Sequence, residues 1–222
     1  MSTAVLLKRN APATEEHIPW ILEGTHSFLI KQGVQIVLND GNSRSAHLFN
    51  MFSEQLNNGV LWVDSGLKSA CHYYDPYNGS GIWFWPNAAK KCSEFFLRAL
   101  EMWKNKKHYQ SMFLLGAAVH LVQDLCVPHH ASCKVFCGHQ HYEDWAGKRK
   151  LEYRVDSKGI YDISYNPEDW IVENARFAKE YYPMVDNNST EGYHRATQSL
   201  LPRAQLTTAG FLLLFYDRIK KM

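Results

Sequence analysis

The chain has 222 residues and a mass of 25.7 kDa, enough for one domain or two small ones, with a core that needs no disulfide to hold it. Lys and Arg number 24 against 22 Asp and Glu, so the formal net charge is +2, which argues against nucleic-acid binding by bulk charge. An aromatic content of 14% excludes a disordered chain, and 11 histidines exceed what a core of this size needs.

Residues 1–19 read as a leader or propeptide: Pro12 and Pro19 stand among mixed polar residues, and the apolar run AVLL is too short for the core of a secretory signal. The folded domain is expected over 20–222. Phe28, Ile30, Val34, Val37 and Leu38 predict a helix from Thr25, its N-cap, to Gly41. AHLFNMFSEQLNNG predicts a short second helix closed by Gly59. Residues 60–86 carry Gly, Pro and aromatics without period and read as one long loop, of a length that tends to carry function. A strong helix follows from Pro86 through Trp103, and KNKKH (104–108) reads as a solvated turn. The segment His108–Cys126 is apolar on nearly every side, the mark of a buried central helix, and Pro128 ends it. A helix near Gln140–Glu152 precedes a polar loop with Gly159, and Asn166-Pro167 cap and open the next helix. The last runs from about His194 to Lys220, with a break expected at Pro202. VLWV (60–63) and YRVD (153–156) are weak strand candidates. The expected fold is all-α, a single bundle-like domain of about seven to ten helices around the central buried one.

The five cysteines cannot all pair internally, and Cys133 and Cys137 have no second pair with which to make a zinc knuckle. No stretch approaches the ~20 apolar residues of a membrane span.

The strongest chemical signal is His120 and Asp124, four apart on an apolar helix and therefore on one face. A buried carboxylate needs charge, hydrogen bonds or metal beside it, so the pair is either a satisfied core His–Asp bond or part of a metal site. Past the helix end stand Pro128, His129 and His130, and then His139 and Glu143, again four apart. Two such pairs with a histidine between them favour a metal cluster. His26 in the first turn of the first helix, with Asp64 and His72 in the long loop, are further candidates. Imidazole with carboxylate favours zinc, then iron or manganese. His129, His141 and His47 flank these positions or face solvent, and His17, His108 and His194 read as surface. Trp62, Tyr73, Tyr74, Trp83, Phe84 and Trp85 are either core packing or an interfacial patch for lipid.

Over about residues 20–220 the sequence resembles the bacterial zinc-dependent phospholipases C. The resemblance is carried by Trp20-Ile-Leu-Glu23 with His26, by Asp64, by His72-Tyr-Tyr-Asp75-Pro76, by His120-x3-Asp124-x3-Pro128-x-His130, by Gly138-His139-x-x-Tyr-Glu143, and by Thr208-Ala-Gly210-Phe. It implies a catalytic domain over 20–222 and three zinc ions. Trp20 (through a freed terminal amine), His26 and Asp124 would hold one; Asp64, His72, His120 and the bridging Asp124 a second; His130, His139 and Glu143 the third. Only two ions would be held if Met1–Pro19 stayed attached, because an amide is a poor ligand where a terminal amine is a good one. The implied reaction splits a phospholipid phosphodiester at a membrane or micelle surface, giving diacylglycerol and a phosphorylated headgroup. Asp64 would be a ligand alone or a ligand and general base, and Glu23 would bind the headgroup.

Ser65 and Ser69 stand where the family's choline pocket has aromatics, which leads us to expect a broader or ethanolamine-type headgroup. The chain stops after the TAGF helix, like the compact single-domain members. The resemblance further implies secretion and a monomer without obligate protein or nucleic-acid partner. Two alternatives stand beside this reading: a single-strand nuclease or 3′-nucleotidase of the related three-zinc fold, and a non-catalytic metal-binding helical module. The nucleases usually carry Gly where Gln123 stands here.

Overall fold

A computed structural model describes residues 24–64, 70–136 and 138–222. The helix expected at the centre is α5 (His108–Asp124), and every residue from Leu115 to Asp124 on it is buried. Around it stand α1 (Thr25–Asn39), α3 (Ser53–Val63), α4 (Ala88–Lys104), α8 (Pro167–Lys179) and α10 (Thr190–Ile219), all packed on α5. Shorter helices α2 (Ser43–Met51), α6 (Pro128–Ala131), α7 (His139–Lys148) and α9 (Tyr182–Val185) complete an all-α bundle, with no strand among the described residues. Phe96, Met112, Leu115, Leu121, Trp170, Phe211 and Phe215 fill the core. No helix among the described residues is long and apolar enough to cross a membrane.

Several local expectations need correction. Gly59 does not close a helix; it lies inside α3, and the second predicted helix is two, broken at Phe52. The physical reason is close packing. A Cβ on Gly59 would sit 1.9 Å from the Phe113 carbonyl oxygen, and one on Gly116 would sit 2.1 Å from that of Leu56. The two glycines let α3 and α5 cross backbone to backbone, so a residue that reads as a stop signal is an interface residue. VLWV is the last turn of α3 rather than a strand or the start of the loop.

Pro202 does not break α10, which runs unbroken for 30 residues. A proline removes one N–H and frees one carbonyl, and the packing of α10 along α1, α4, α5 and α8 outweighs that loss. YRVD is likewise no strand. Its backbone is held by a side chain: Gln205 of α10 accepts from Val155 N (3.0 Å) and donates to Tyr153 O (2.9 Å).

Helix starts follow their caps. Asn87 accepts from Lys90 N, Asn166 from Glu168 N with Pro167 behind it, and Ser189 from Gly192 N. Gly24 rather than Thr25 occupies the first N-cap, a shift of one residue. The helix expected over 140–152 ends at Lys148 and continues as a 3-10 turn, Lys150–Tyr153. At the far end of α1, Asp40 ties down the loop before α8: its carboxylate accepts from Lys158 N and Gly159 N (2.8 Å each) and from the Tyr161 hydroxyl (2.6 Å).

Candidate metal centre

The ends of six segments meet at one side of α5. The last two turns of α5 present His120 and Asp124, both almost fully buried. The first turn of α1 brings His26, and the C-cap of α3 is Asp64. His72 lies on the segment returning from the loop, where Tyr74 N donates to His130 O (3.2 Å). Val127 is extended and Pro128 opens α6, which turns the chain back at once and points His130 inward. Gly138 takes a left-handed φ of 78° as the N-cap of α7, a conformation that suits glycine, and so places His139 and Glu143 on the inner face of that helix.

Two sub-sites result. In the first, Asp124 is the hub. Its Oδ2 lies 2.8 Å from His72 Nδ1 and 3.1 Å from His120 Nε2, and its Oδ1 lies 3.3 Å from His26 Nε2. His120 Nε2 and His72 Nδ1 are 3.4 Å apart, and Asp64 groups with the same two histidines. In the second sub-site, His130 Nε2, His139 Nε2 and Glu143 Oε1 form a triangle with edges of 2.9, 2.9 and 3.2 Å.

The outer nitrogens decide what these groups are built for. His72 Nε2–H donates to Val63 O (3.2 Å), His130 Nδ1–H to His72 O (3.1 Å), and His26 Nδ1–H to Gln123 Oε1 (2.8 Å). A carbonyl only accepts, so each of these rings spends its proton outward and turns a lone pair inward. Lone pairs and carboxylate oxygens then face one another at about 3 Å. One proton can relieve one edge of such a triangle but not all three, whereas a cation among them relieves every edge at once. The donor set therefore fits a metal, and imidazole with carboxylate fits zinc. His120 Nδ1 is buried without a hydrogen-bond partner among the described residues.

Charge follows the same plan. Burial alone would raise the Asp124 pKa, but His120, His130 and His72 outweigh it and hold the carboxyl well below the usual range. Glu143 is likewise depressed: burial opposes ionisation, and the adjacent His130 and His139 rings overcome it. Burial lowers the pKa of His120, so the ring stays a neutral ligand at pH 7. The set also lies at the C-terminal end of α5, where the helix dipole favours positive charge.

A cleft of about 280 Å³ opens on this centre, with His26, Asp64 and Glu143 on its polar wall and Leu29, Leu200 and Leu201 on its apolar one.

Gln123, Val63 and Thr208 support the metal ligands, a role that sequence reasoning gave to none of them. Gln123 holds His26 and is held in turn by donating to Thr208 Oγ1 (3.2 Å). Its signal was a polar side chain in the middle of an apolar helix; a carbonyl such as that of Val63 carries no sequence signal at all. His129, expected to flank the site or face solvent, is buried against Tyr142, Tyr182 and His139. His108 is half-covered by stacking on Trp103, ring centroids 4.2 Å apart. Trp20, Glu23, Ser65 and Ser69 lie outside the described residues.

A sequence family described as zinc-dependent phospholipase C matches residues 25–197. The chain belongs to that family. A phospholipase C of Bacillus cereus is 30% identical over 228 residues, covering 87% of this chain and 81% of the relative. A phospholipase C of Listeria monocytogenes is 25% identical over 217 residues, covering 85% and 75%. Among solved structures, an alpha toxin from Clostridium absonum superposes with a TM-score of 0.79 at 20% identity. That match covers 89% of this chain and 64% of the toxin chain, so the chain spans a little under two thirds of the toxin's length, and the likeness concerns the fold. Family membership makes this a zinc-dependent phospholipase C, an enzyme acting on phospholipid; the nuclease and the non-catalytic readings are not favoured.

Proposed function

We propose that this protein hydrolyses phospholipid phosphodiesters on the glycerol side, releasing diacylglycerol and a phosphorylated headgroup, as a secreted monomer. We further propose three zinc ions: one on Trp20, His26 and Asp124, one on Asp64, His72, His120 and Asp124, and one on His130, His139 and Glu143. The observation that carries this reading is the inward convergence of lone pairs, with His72, His130 and His26 each giving its ring proton to an outer acceptor.

When bound, zinc supplies Lewis acidity, which offsets charge on the phosphoryl oxygens and makes water a competent nucleophile near neutral pH. The chain's own residues do the rest. Asp64 is the most exposed of the three inner carboxylates and borders the cleft, so it is the one placed to take a proton from the attacking water. Asp124 is buried and enclosed by histidines, which suits a purely electrostatic and orienting role. Leu29, Leu200 and Leu201 line the cleft's apolar wall and exclude water from that side. Glu23 would face the headgroup, and Ser65 and Ser69 in place of aromatics point to a preference broader than choline.

The test is zinc content together with turnover of phosphatidylcholine, phosphatidylethanolamine and single-stranded DNA. It is run on the full chain and on a chain beginning at Trp20. Phospholipid turnover with about three zincs in the shorter chain and two in the longer supports the reading. Equal activity with three zincs in both removes the role of the Trp20 amine, and turnover of DNA alone refutes phospholipid hydrolysis. Full zinc with near wild-type rate in Asp64→Asn removes the base role.

A further inference from the structure

His72 and His130 serve different sub-sites, yet the chain ties them directly to each other. His130 Nδ1–H donates to His72 O (3.1 Å), and Tyr74 N–H donates back to His130 O (3.2 Å). Between these two bonds the Tyr73 ring lies against the His130 ring, centroids 4.7 Å apart. The spacing of the two sub-sites is therefore set by where the strap His72–Asp75 sits. Residues 73–75 belong to no helix, so no ladder of their own fixes that place. It comes from anchors on either side. One is Ala88 N–H, at the start of α4, which donates to Tyr73 O (3.1 Å).

The other anchor is an ion pair. Lys179, in the last turn of α8, places Nζ 2.6 Å from Asp75 Oδ2, and the two side chains are only 21% and 18% exposed. The chain turns at this point. Asp75 Oδ1 accepts from Tyr77 N (3.0 Å), Asp75 N–H donates to Ser80 O (2.8 Å), and Gly79 N–H donates to Asp75 O (2.9 Å). Lys179 Nζ also stands 4.7 Å from the centre of the Tyr77 ring, whose hydroxyl donates to Glu180 Oε1 (2.8 Å). Burial alone would raise the Asp75 pKa, but Lys179 and the Tyr77 amide outweigh it and hold the carboxyl below its usual range. In a pair this well covered, removing one partner leaves the other charge short of compensation. Helix α8 also packs on α4 and α6, so Lys179 refers the strap to the same frame that carries His130.

We propose that Lys179 is a positioning residue of the metal centre: through Asp75 it holds the strap that sets His72 against His130, and so fixes the spacing of the two sub-sites. Lys179 supplies no ligand atom and acts only through Asp75. A phosphate ester that spans both sub-sites feels that spacing, because a misplacement of about 1 Å costs on the order of a hundredfold in rate. The effect on turnover rests on the phospholipid reading above; the effect on metal binding does not.

The experiment uses the full zinc-loaded chain and four variants: Lys179→Met, Asp75→Asn, Lys179→Arg and, as a control, Arg154→Met, which breaks an exposed ion pair with Asp156. Methionine keeps most of the length of the side chain, and asparagine keeps an acceptor for Tyr77 N–H. Three quantities are measured: zinc affinity by competition with a chelator, the visible absorption bands of the cobalt(II)-substituted chain, and kcat and KM for a short-chain phosphatidylcholine below its micelle concentration. Lys179→Met and Asp75→Asn are expected to weaken zinc binding by about tenfold or more, to shift the cobalt bands, and to lower kcat by about tenfold with KM within about threefold. Lys179→Arg should recover most of each loss, and Arg154→Met should change none of the three. A fall in Tm alone, with zinc affinity and cobalt bands as in the unmutated chain, overturns the proposal, and so does an arginine variant no better than the methionine one. If Lys179→Met does not fold, Asp75→Asn decides by the same measurements. If the unmutated chain turns over no phospholipid, the functional reading fails, and the zinc and cobalt measurements still decide the role of Lys179.

Discussion

Replacing Gly116 by alanine is a sharp test of how the fold holds the site. The new methyl carbon would lie 2.1 Å from Leu56 O and 2.9 Å from Leu56 C, both backbone atoms that no rotamer change can move. Ordinary contact begins at 3.4 Å, so α3 must retreat by about 1.3 Å where it crosses α5. Overpacking of this kind costs about 3 kcal/mol at the upper end of its usual range, and alanine returns about 1 kcal/mol of helix propensity. The net loss of about 2 kcal/mol corresponds to a fall in Tm of about 4–8 °C for a domain of this size. The site moves with the helix. Val63 O, which fixes the His72 ring at 3.2 Å, and Asp64 both sit at the end of α3. Displacing them should weaken zinc binding by about 10–100-fold. Calorimetry and a zinc titration of Gly116→Ala measure both effects. Gly147→Ala is the control, since its Cβ would meet only the rotatable Thr25 hydroxyl at 2.7 Å and should leave Tm nearly unchanged. A Tm at or above wild type in Gly116→Ala, with full zinc affinity, would refute the backbone-crossing account.

Three further outcomes are expected. Glu143→Gln removes the charged corner of the His130–His139 triangle, so elemental analysis should find about one zinc fewer per chain; unchanged stoichiometry would count against that triad as a site. Gln123→Leu frees the His26 ring and strands Thr208, and should weaken zinc binding by about tenfold or more while the helix stays folded by circular dichroism. Asp40→Asn probes stability against pH. Burial would raise the Asp40 pKa, but the Tyr161 hydroxyl and the Lys158 and Gly159 amides outweigh it and lower the value. A depressed folded-state pKa contributes stability above the unfolded value near 4 and loses it as pH falls through the folded one, so wild type should be the more stable at pH 7 and the difference should shrink as pH falls below about 4. Parallel Tm curves down to pH 3 would remove Asp40 as the titrating group.

What could be read from the chain in advance was what depends on local spacing. The burial of α5 follows from apolar residues on all its faces, and the pairs His120–Asp124 and His139–Glu143 follow from four-residue spacing on helices. The start at Asn166 follows from a side chain that satisfies the amide just after it, whereas the last helix, expected from about His194, starts four residues earlier at Thr190, capped by Ser189. What could not be read was decided by partners distant in sequence. Gly59 looks like a terminator until Phe113 is placed against it, and Pro202 looks like a break until α10 is packed along its neighbours. The carbonyls of Val63 and His72 are common to every residue type, so nothing in the sequence marks them as the acceptors that set two imidazole tautomers.

The centre is assembled from segments that have no local reason to meet. Two helices, α5 and α7, supply a pair each, and His26, Asp64, His72 and His130 arrive singly from four other segments. Brought together without a cation, the lone pairs of His130, His139 and Glu143 and those around Asp124 repel, and a buried carboxylate bears its full desolvation cost. The bundle therefore works against its own interior at one place. That strain is held by the α3–α5 crossing and by the outward hydrogen bonds of three histidines, and a cation converts it into attraction. This accounts for a near-neutral chain that handles phosphate esters: the positive charge such substrates need is not spread over lysines and arginines but is brought to one buried, acidic and imidazole-lined point.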